Sequence, residues 1–177
     1  MSAAAQAPPP EFSRPLVAEK VGRGGLEIEI EAAAAERAAL ARRFGLIAMD
    51  ALKAQCKLRP VAGGMIELTC NFSARVTQEC VVTLTPVESG VAGEFRLRYA
   101  LAAAALPLLA EEEIDLAADD PPEALADGAI DLGEAVAQHL ALALDPFPRA
   151  PGAEFNSGSP EETGNPFAIL ARLKGKT

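Results

Sequence analysis

Short stretches in which apolar and polar residues alternate constrain the fold of this chain more than any other feature. Five are present: "LEIEIE" (26–31), "LKAQCKLRP" (52–60), "IELTCNFSA" (66–74), "ECVVTLTPV" (79–87) and "EFRLRYAL" (94–101). A period of two is typical of strands with one buried face, and Gly63-Gly64 is a turn signal. Because the last four are joined by short connections, we expect antiparallel neighbours. The sequence predicts a β-meander, or a partial barrel.

Two further stretches have the period of a helix. The first, "AAAAERAALARRFG" (32–45), ends at Gly45, a residue suited to a helix stop. The second covers 130–144, where Asp131 and Glu134 have the spacing of a capping box. Its apolar stripe consists of Leu132, Val136, Leu140 and Leu144.

The predicted fold class is α+β: an antiparallel β-meander or partial barrel packed by two helices, with disordered N- and C-terminal tails. "DDPPEAL" (119–125) predicts a turn. We divide the chain into a disordered tail (1–11), a single α+β domain (12–149) with an acidic arm (99–148), a flexible linker (150–164) and a short C-terminal docking helix (165–177).

Charge is distributed unevenly along the chain. The net charge is −9, and residues 99–148 contain no Lys or Arg. Such acidity weakens the case for wrapping nucleic acid, which depends on clustered cations, and favours basic partners such as ribosomal proteins. The alternative is that the acids only maintain solubility.

Targeting signals and cysteines bear on the compartment of the protein, and both predict a soluble cytoplasmic protein. The start "MSAAAQAPPPEF" lacks the basic region of a signal peptide. The longest apolar run, 99–110, is too short to span a membrane. Three cysteines, an odd number, suit a reducing compartment better than a disulfide scaffold.

Four stretches together resemble the YceD family, the large ribosomal RNA subunit accumulation proteins, and most closely its alphaproteobacterial branch. They are "VTQECVVTLTPV", "DPPEAL", "GAIDLGEAVAQHLALALDPFPRAPG" and "NPFAILARLK". The resemblance covers roughly residues 12–173, and 131–151 is its most specific part.

The resemblance implies a bacterial, non-enzymatic factor in the synthesis, processing or stability of large-subunit ribosomal RNA, or in ribosome assembly. Its partner would be ribosomal RNA or a basic ribosomal-assembly protein, with no membrane or small-molecule substrate. One alternative is an acidic adaptor that binds a basic ribosomal protein through residues 99–148 without contacting RNA. A second alternative is an RNA-processing enzyme.

One position departs from the family pattern. Many relatives carry C-x-x-C-L, and the matching residues here run from Cys80 to Leu84, with Thr83 in place of the second thiol. Cys56, Cys70 and Cys80 all fall on the apolar phase, with Cys56 opposite Cys70 if the chain turns at Gly63. We expect three buried free thiols, which behave as small hydrophobic residues.

No metal, cofactor or catalytic residue is predicted. The three thiols and His139 do not have the short ligand spacing of structural zinc sites. His139 lies at the edge of the apolar stripe, which favours a boundary histidine over a general base. The contiguous acids of 111–120 are typical of a solvated loop or an interaction surface.

Six basic residues share the polar phase of the strands and are candidates for contacting RNA. They are Lys53, Lys57, Arg59, Arg75, Arg96 and Arg98. We expect one positive face that binds RNA weakly and in a salt-sensitive way. The alternative is an ordinary solvated outer face.

The stretch "LALDPFPRAPG" (141–151) ends a helix with two prolines and then carries Phe147 and Arg149. Both are candidate partner-binding residues. For Phe147 we favour burial against the domain, and for Arg149 an internal ion pair and a partner contact remain equal alternatives. The C-terminal peptide is predicted to capture a partner through Phe167, Leu170 and Leu173.

Overall fold

A computed structural model of the chain describes residues 10–101, 122–125 and 128–155. Two helices pack on a mixed, mostly antiparallel sheet, which confirms the predicted α+β class. The elements, in chain order, are β1 (Pro15–Val17), β2 (Leu26–Glu31), α1 (Ala34–Phe44), β3 (Ala48–Val61), β4 (Met65–Glu79), β5 (Pro86–Leu101), β6 (Glu123–Leu125), β7 (Ala129–Asp131) and α2 (Leu132–Ala143).

The main sheet has five strands in the order β2-β3-β4-β5-β6. All neighbours are antiparallel except β5 and β6, which are parallel. Among the described strands β2 and β6 form the two edges, so the sheet is open and not closed into a barrel. A separate two-stranded sheet joins β1 to β7.

The inner face of the sheet forms the core with the two helices. The register aligns Ile28, Cys56, Cys70 and Phe95 in one row across four strands. Helix α1 packs on β3, and α2 packs on β5 and β4. The helices contribute buried side chains that the apolar patterns predicted: Leu40 from α1, and Leu132, Val136 and Leu140 from α2.

Cys56 and Cys70 form a disulfide, so the prediction of three free thiols is wrong for two of them. The register places them directly opposite each other on the inner face, with their Cα atoms 4.2 Å apart. Opposed residues on neighbouring antiparallel strands lie close enough for their sulfur atoms to meet. Two of the three cysteines are therefore not free thiols, and only Cys80 still supports the argument for a reducing compartment.

The predicted strand over 79–87 is also wrong. Strand β4 ends at Glu79, residues 80–85 form a turn, and β5 begins at Pro86. Strand β5 continues through "GVAG" (90–93), which offered little apolar contrast. Gly93 faces the Phe72 ring so closely that a Cβ there would lie 2.7 Å from it. Close packing of this ring therefore explains why a glycine occurs inside the strand.

The turn predicted over 119–125 includes a short strand. Residues 123–125 form β6, which pairs in parallel with residues 99–101 of β5. Leu125 is buried, so this strand is held by packing as well as by its ladder. Three residues are too few to show a periodicity.

The segment before β1 is fixed to the start of α2 by the Asp131 carboxylate. This side chain caps α2 by accepting from the backbone N–H groups of Gly133 and Glu134 at 3.0 and 3.1 Å. It also accepts from the Ser13 hydroxyl at 2.5 Å and from Arg14 N at 2.7 Å. The predicted capping residue is therefore confirmed, and it has the further role of holding the N-terminal segment.

Two arginine–glutamate pairs tie α1 to its surroundings. Arg14 donates to the Glu36 carboxylate at 2.7 and 2.8 Å, and Arg43 donates to the Glu134 carboxylate at 2.9 and 2.8 Å. The hydrogen bonds from Arg14 lower the pKa of Glu36, and those from Arg43 lower the pKa of Glu134. In a capping box, the Glu134 carboxylate would accept a hydrogen bond from the Asp131 N–H. Here it pairs with Arg43 instead.

We expect Glu134→Gln to destabilise the domain near neutral pH and to have little effect at low pH. A carboxylate whose pKa is lower in the folded than in the unfolded state stabilises the fold above the unfolded pKa, and this contribution disappears as the pH falls through the folded pKa. The loss near neutral pH should be about 0.5–1 kcal/mol, since both side chains are partly exposed. Urea unfolding near neutrality and near pH 3 measures it, with Glu19→Gln as an exposed control. An equal loss at both pH values would contradict the electrostatic explanation.

Candidate interaction site

The six predicted basic residues lie on the outer face of the sheet. Across the strands, Lys57 aligns with Thr69 and then with Arg96, and Arg59 aligns with Glu67 and then with Arg98. Lys53 and Arg75 occupy the same outward phase nearer the other end of the strands. Five of these side chains are exposed, whereas Arg98 is half-buried. One shared surface therefore carries all six.

This outer face is mixed in charge. Three of its cations pair with carboxylates: Lys53 with Glu31 at 3.2 Å, Lys57 with Glu27 at 3.5 Å, and Arg59 with Glu67 at 3.2 Å. Within the described part of the chain, Arg75 and Arg96 have no such ion pair. The acids of β2, at one edge of the sheet, thus offset much of the positive charge of β3. Direct RNA binding by these residues remains a prediction.

A second surface is formed where the "DPFPRAPG" stretch meets the turn after β4. Gln78 Nε2 donates to the Asp145 carbonyl at 2.9 Å, and Val81 N donates to the Pro148 carbonyl at 2.9 Å. A third bond runs from Ala150 N to Cys80 Sγ at 3.3 Å. The two stretches are nearly 70 residues apart in the chain, yet they form one structural unit.

Cys80 lies at the centre of this unit as a buried free thiol. Its Sγ accepts backbone hydrogen bonds from Val82 and Thr83 at 3.4 Å, besides the one from Ala150. A hydrogen bond from the Thr83 side chain, together with the backbone donors, lowers the pKa of Cys80 to about 6 against the effect of burial. Thr83, which stands in place of a second thiol, therefore serves as a donor to the first.

Phe147 is not buried, which contradicts the expectation that it covers the domain. Its side chain is 69% exposed, whereas Pro148 is buried. The Asp145 carboxylate accepts from Phe147 N at 2.9 Å, and the Pro148 carbonyl is held by Val81. These bonds turn the proline inward and the aromatic ring outward. Arg149 is exposed, and a partner contact by either residue remains a prediction.

Val81 and Leu84 also present apolar side chains at this surface, with exposures of 47% and 67%. The sequence interpretation missed them because it placed both on a strand. The signal was the doublet Val81-Val82, which breaks the alternation that a half-buried strand requires. Leu84 has a φ of 60°, a left-handed conformation that a leucine adopts only where the surrounding turn enforces it.

His139 packs as a boundary residue. Its ring stacks on Phe95 with centroids 3.7 Å apart, and Nδ1 lies 2.9 Å from the Ala135 carbonyl. In residues 10–101, 122–125 and 128–155, no three His, Cys, Asp or Glu side chains are grouped to hold a metal ion. The predicted docking residues Phe167, Leu170 and Leu173 lie outside the described residues.

A family model described as large ribosomal RNA subunit accumulation protein YceD matches residues 68–174, more than half of the chain. No match was found among the curated proteins or among the solved structures. None of the helices in the described parts of the chain is long and apolar enough to cross a membrane. The matched range begins within β4 and includes both halves of the unit around Cys80.

Proposed function

Because this chain belongs to the YceD family of large ribosomal RNA subunit accumulation proteins, we propose that it is a binding factor that supports the accumulation of large-subunit ribosomal RNA. It acts without catalysing a reaction, by contacting ribosomal RNA or an assembly protein bound to that RNA. The family match is the observation that carries this proposal.

The outer face of the sheet supports direct contact with RNA. Arg75 and Arg96 lie on one rigid surface with Thr69, Asn71 and Ser73, whose polar groups can bond phosphate or ribose oxygens. The cations are spread over three strands and are partly offset by carboxylates. Such a surface suits weak, salt-dependent contact along a backbone better than sequence-specific recognition of bases.

An acidic adaptor that binds a basic ribosomal protein is the second candidate. The carboxylates of Glu27, Glu29 and Glu31 line the β2 edge of the sheet, where a basic chain could contact them. In this arrangement the cations of β3 would serve to position the carboxylates of β2. Only the first candidate requires Arg75 and Arg96, because neither arginine pairs with the β2 carboxylates.

Reversing both arginines separates the candidates. We expect Arg75→Glu/Arg96→Glu to weaken binding of purified protein to large-subunit ribosomal RNA and to lower the slope of log K against log salt by about two. In cells depleted of the native protein, this variant should not restore the ratio of large- to small-subunit RNA. Arg42→Glu, on the helix side of the sheet, has the same charge change per residue and should restore the ratio.

One result would contradict the proposal, and another would decide for the second candidate. If depletion leaves the RNA ratio unchanged, the role in RNA accumulation is wrong. If depletion lowers the ratio, the double variant restores it, and the protein is recovered with a ribosomal protein after ribonuclease treatment, then the adaptor is correct and the outer face does not bind RNA.

A further inference from the structure

The exposed apolar side chains of the domain are concentrated at one end. Ile47 adjoins this end because its N–H donates to the Thr77 carbonyl at 2.9 Å, and Leu142 lies in the last turn of α2, just before Asp145. We define the apolar end as Ile47, Val81, Leu84, Leu142 and Phe147, which are 52%, 47%, 67%, 83% and 69% exposed.

Only one other large apolar side chain in the described ranges, Val17, is comparably exposed away from this end and the chain leaving it. Single exposed apolar residues are ordinary on a protein surface, but a group of them marks an interaction site. The grouped side chains of the apolar end therefore indicate an interaction site, whereas the single exposed Val17 does not.

The backbone holds the apolar end in place. Leu84 N donates to the Cys80 carbonyl and Cys80 N donates to the Thr85 carbonyl, both at 2.9 Å, which fixes the turn that presents Leu84. Phe147 is held on the facing segment by the Asp145 and Pro148 contacts. A backbone fixed in this way loses little entropy when a partner covers the surface, which lowers the cost of binding there.

The chain itself supplies a complementary segment close by. The described chain ends at Phe155, five residues after Ala150, whose N–H is bonded to Cys80 Sγ. Residues 165–177 have the pattern of an amphipathic helix with Phe167, Leu170 and Leu173 on one face. A flexible chain of nine residues has an end-to-end distance of roughly 15–20 Å, so the length of residues 156–164 is enough to return to the apolar end.

Charge favours the same pairing. Residues 165–177 carry Arg172, Lys174 and Lys176 and no acidic residue. Residues 79–84 and 142–154, which carry four of the five residues of the apolar end, contain the exposed acids Glu79, Asp145 and Glu154, with Arg149 as the cation among them. The segment before Ile47 adds the exposed Arg42. The basic charge of residues 165–177 thus complements an apolar surface bordered by carboxylates.

We propose that the apolar end is the docking site of the chain's own C-terminal segment, residues 165–177. Tethering gives the segment an effective concentration in the millimolar range, so an intrinsic affinity of about 0.1 mM is enough to keep it bound. In the free protein, the two groups of residues that the sequence assigned to partner binding then cover each other. A partner of either group must first separate them, whether or not that partner is ribosomal.

Amide exchange and NMR shifts of the full-length chain test this proposal. We expect Leu170→Asp to shift the amide signals of residues 81–85 and 147–150 and to speed their exchange by about tenfold. Leu84→Asp should shift the signals of residues 165–173 in return. Ala168→Asp, which adds the same charge on the opposite helical face, is the matched control and should leave residues 81–85 unchanged.

Three results would overturn the proposal. Signals of residues 81–85 and 147–150 that are identical in the parent and in Leu170→Asp would show that the segment does not dock. Shifts that disappear on dilution would assign the site to a second copy of the chain. Equal shifts from Ala168→Asp would remove the apolar face from the contact. Since Leu170 is not among the described residues that form the core, its variant remains informative even if Leu84→Asp unfolds.

Discussion

Replacing Phe12 by alanine should lower the free energy of unfolding by about 3–5 kcal/mol and the midpoint of thermal unfolding by roughly 10 °C or more. Phe12 has no exposed area, although it lies near the N-terminal end of the described chain. The Arg14 guanidinium stacks on its ring at 4.7 Å, and the same arginine pairs with Glu36 of α1. Removing the ring leaves a cavity. It also releases the N-terminal segment, which is hydrogen-bonded to the Asp131 carboxylate that caps α2.

Phe147→Ala is the matched control for this substitution. The same atoms are removed from a side chain that is 69% exposed, so the change in unfolding free energy should stay within about 0.5 kcal/mol. Chemical denaturation of both variants measures the difference. Equal losses for the two phenylalanines would contradict the burial assigned to each.

A methyl group at position 133 should destabilise the domain by about 1–2 kcal/mol. A Cβ on Gly133 would lie 2.3 Å from the Phe12 carbonyl oxygen and 3.1 Å from Arg14 N. Both neighbours are backbone atoms, so relief requires the whole N-terminal segment to move, and overpacking of this kind usually costs about 1–3 kcal/mol. The intrinsic preference of alanine for helices, worth about 1 kcal/mol, opposes the loss but does not remove it.

Gly22→Ala provides the control, because a Cβ there would have no heavy atom within 4 Å. We expect its unfolding free energy to differ from the parent by no more than about 0.5 kcal/mol. If Gly133→Ala is as stable as Gly22→Ala, the close approach of α2 to the N-terminal segment is wrong.

Periodicity predicted the parts of the fold that rest on local pattern. "LEIEIE" is β2 without change, the helix before Gly45 ends there with a φ of 66°, and Asp131 caps α2. The alternation also placed Cys56 opposite Cys70. It did not predict the disulfide that this contact allows, because the odd number of cysteines favoured free thiols in a reducing compartment.

The remaining misses have a common physical cause. Strands β1, β6 and β7 have three residues each, which is too short for an alternating pattern to be recognised. They are held by long-range pairing and packing. Residues 90–93 lie within a strand through their pairing with β4, where Gly93 leaves room for the Phe72 ring. Sequence context alone does not include these partners.

The candidate site follows the same rule. Strand phase placed all six cations on one face, because that depends on a period of two. The pairing of Lys53 and Lys57 with β2 carboxylates depends on the register between strands, and the exposure of Phe147 depends on hydrogen bonds to a turn far away in the chain. Neither could be derived from the local stretch that carries the residue.

The pairing of β1 with β7 joins residues 15–17 to residues 129–131, so the first strand synthesised is the last to find its partner. While the chain emerges from the ribosome, β2, β3 and β4 can form hairpins with near neighbours, but Phe12 stays without its packing surface until α2 has been made. Contacts of such high sequence separation close slowly. The N-terminal segment is therefore fixed last. A chain interrupted before residue 131 would present the inner face of β4 and β5, which α2 normally covers, to the chaperones and proteases around it.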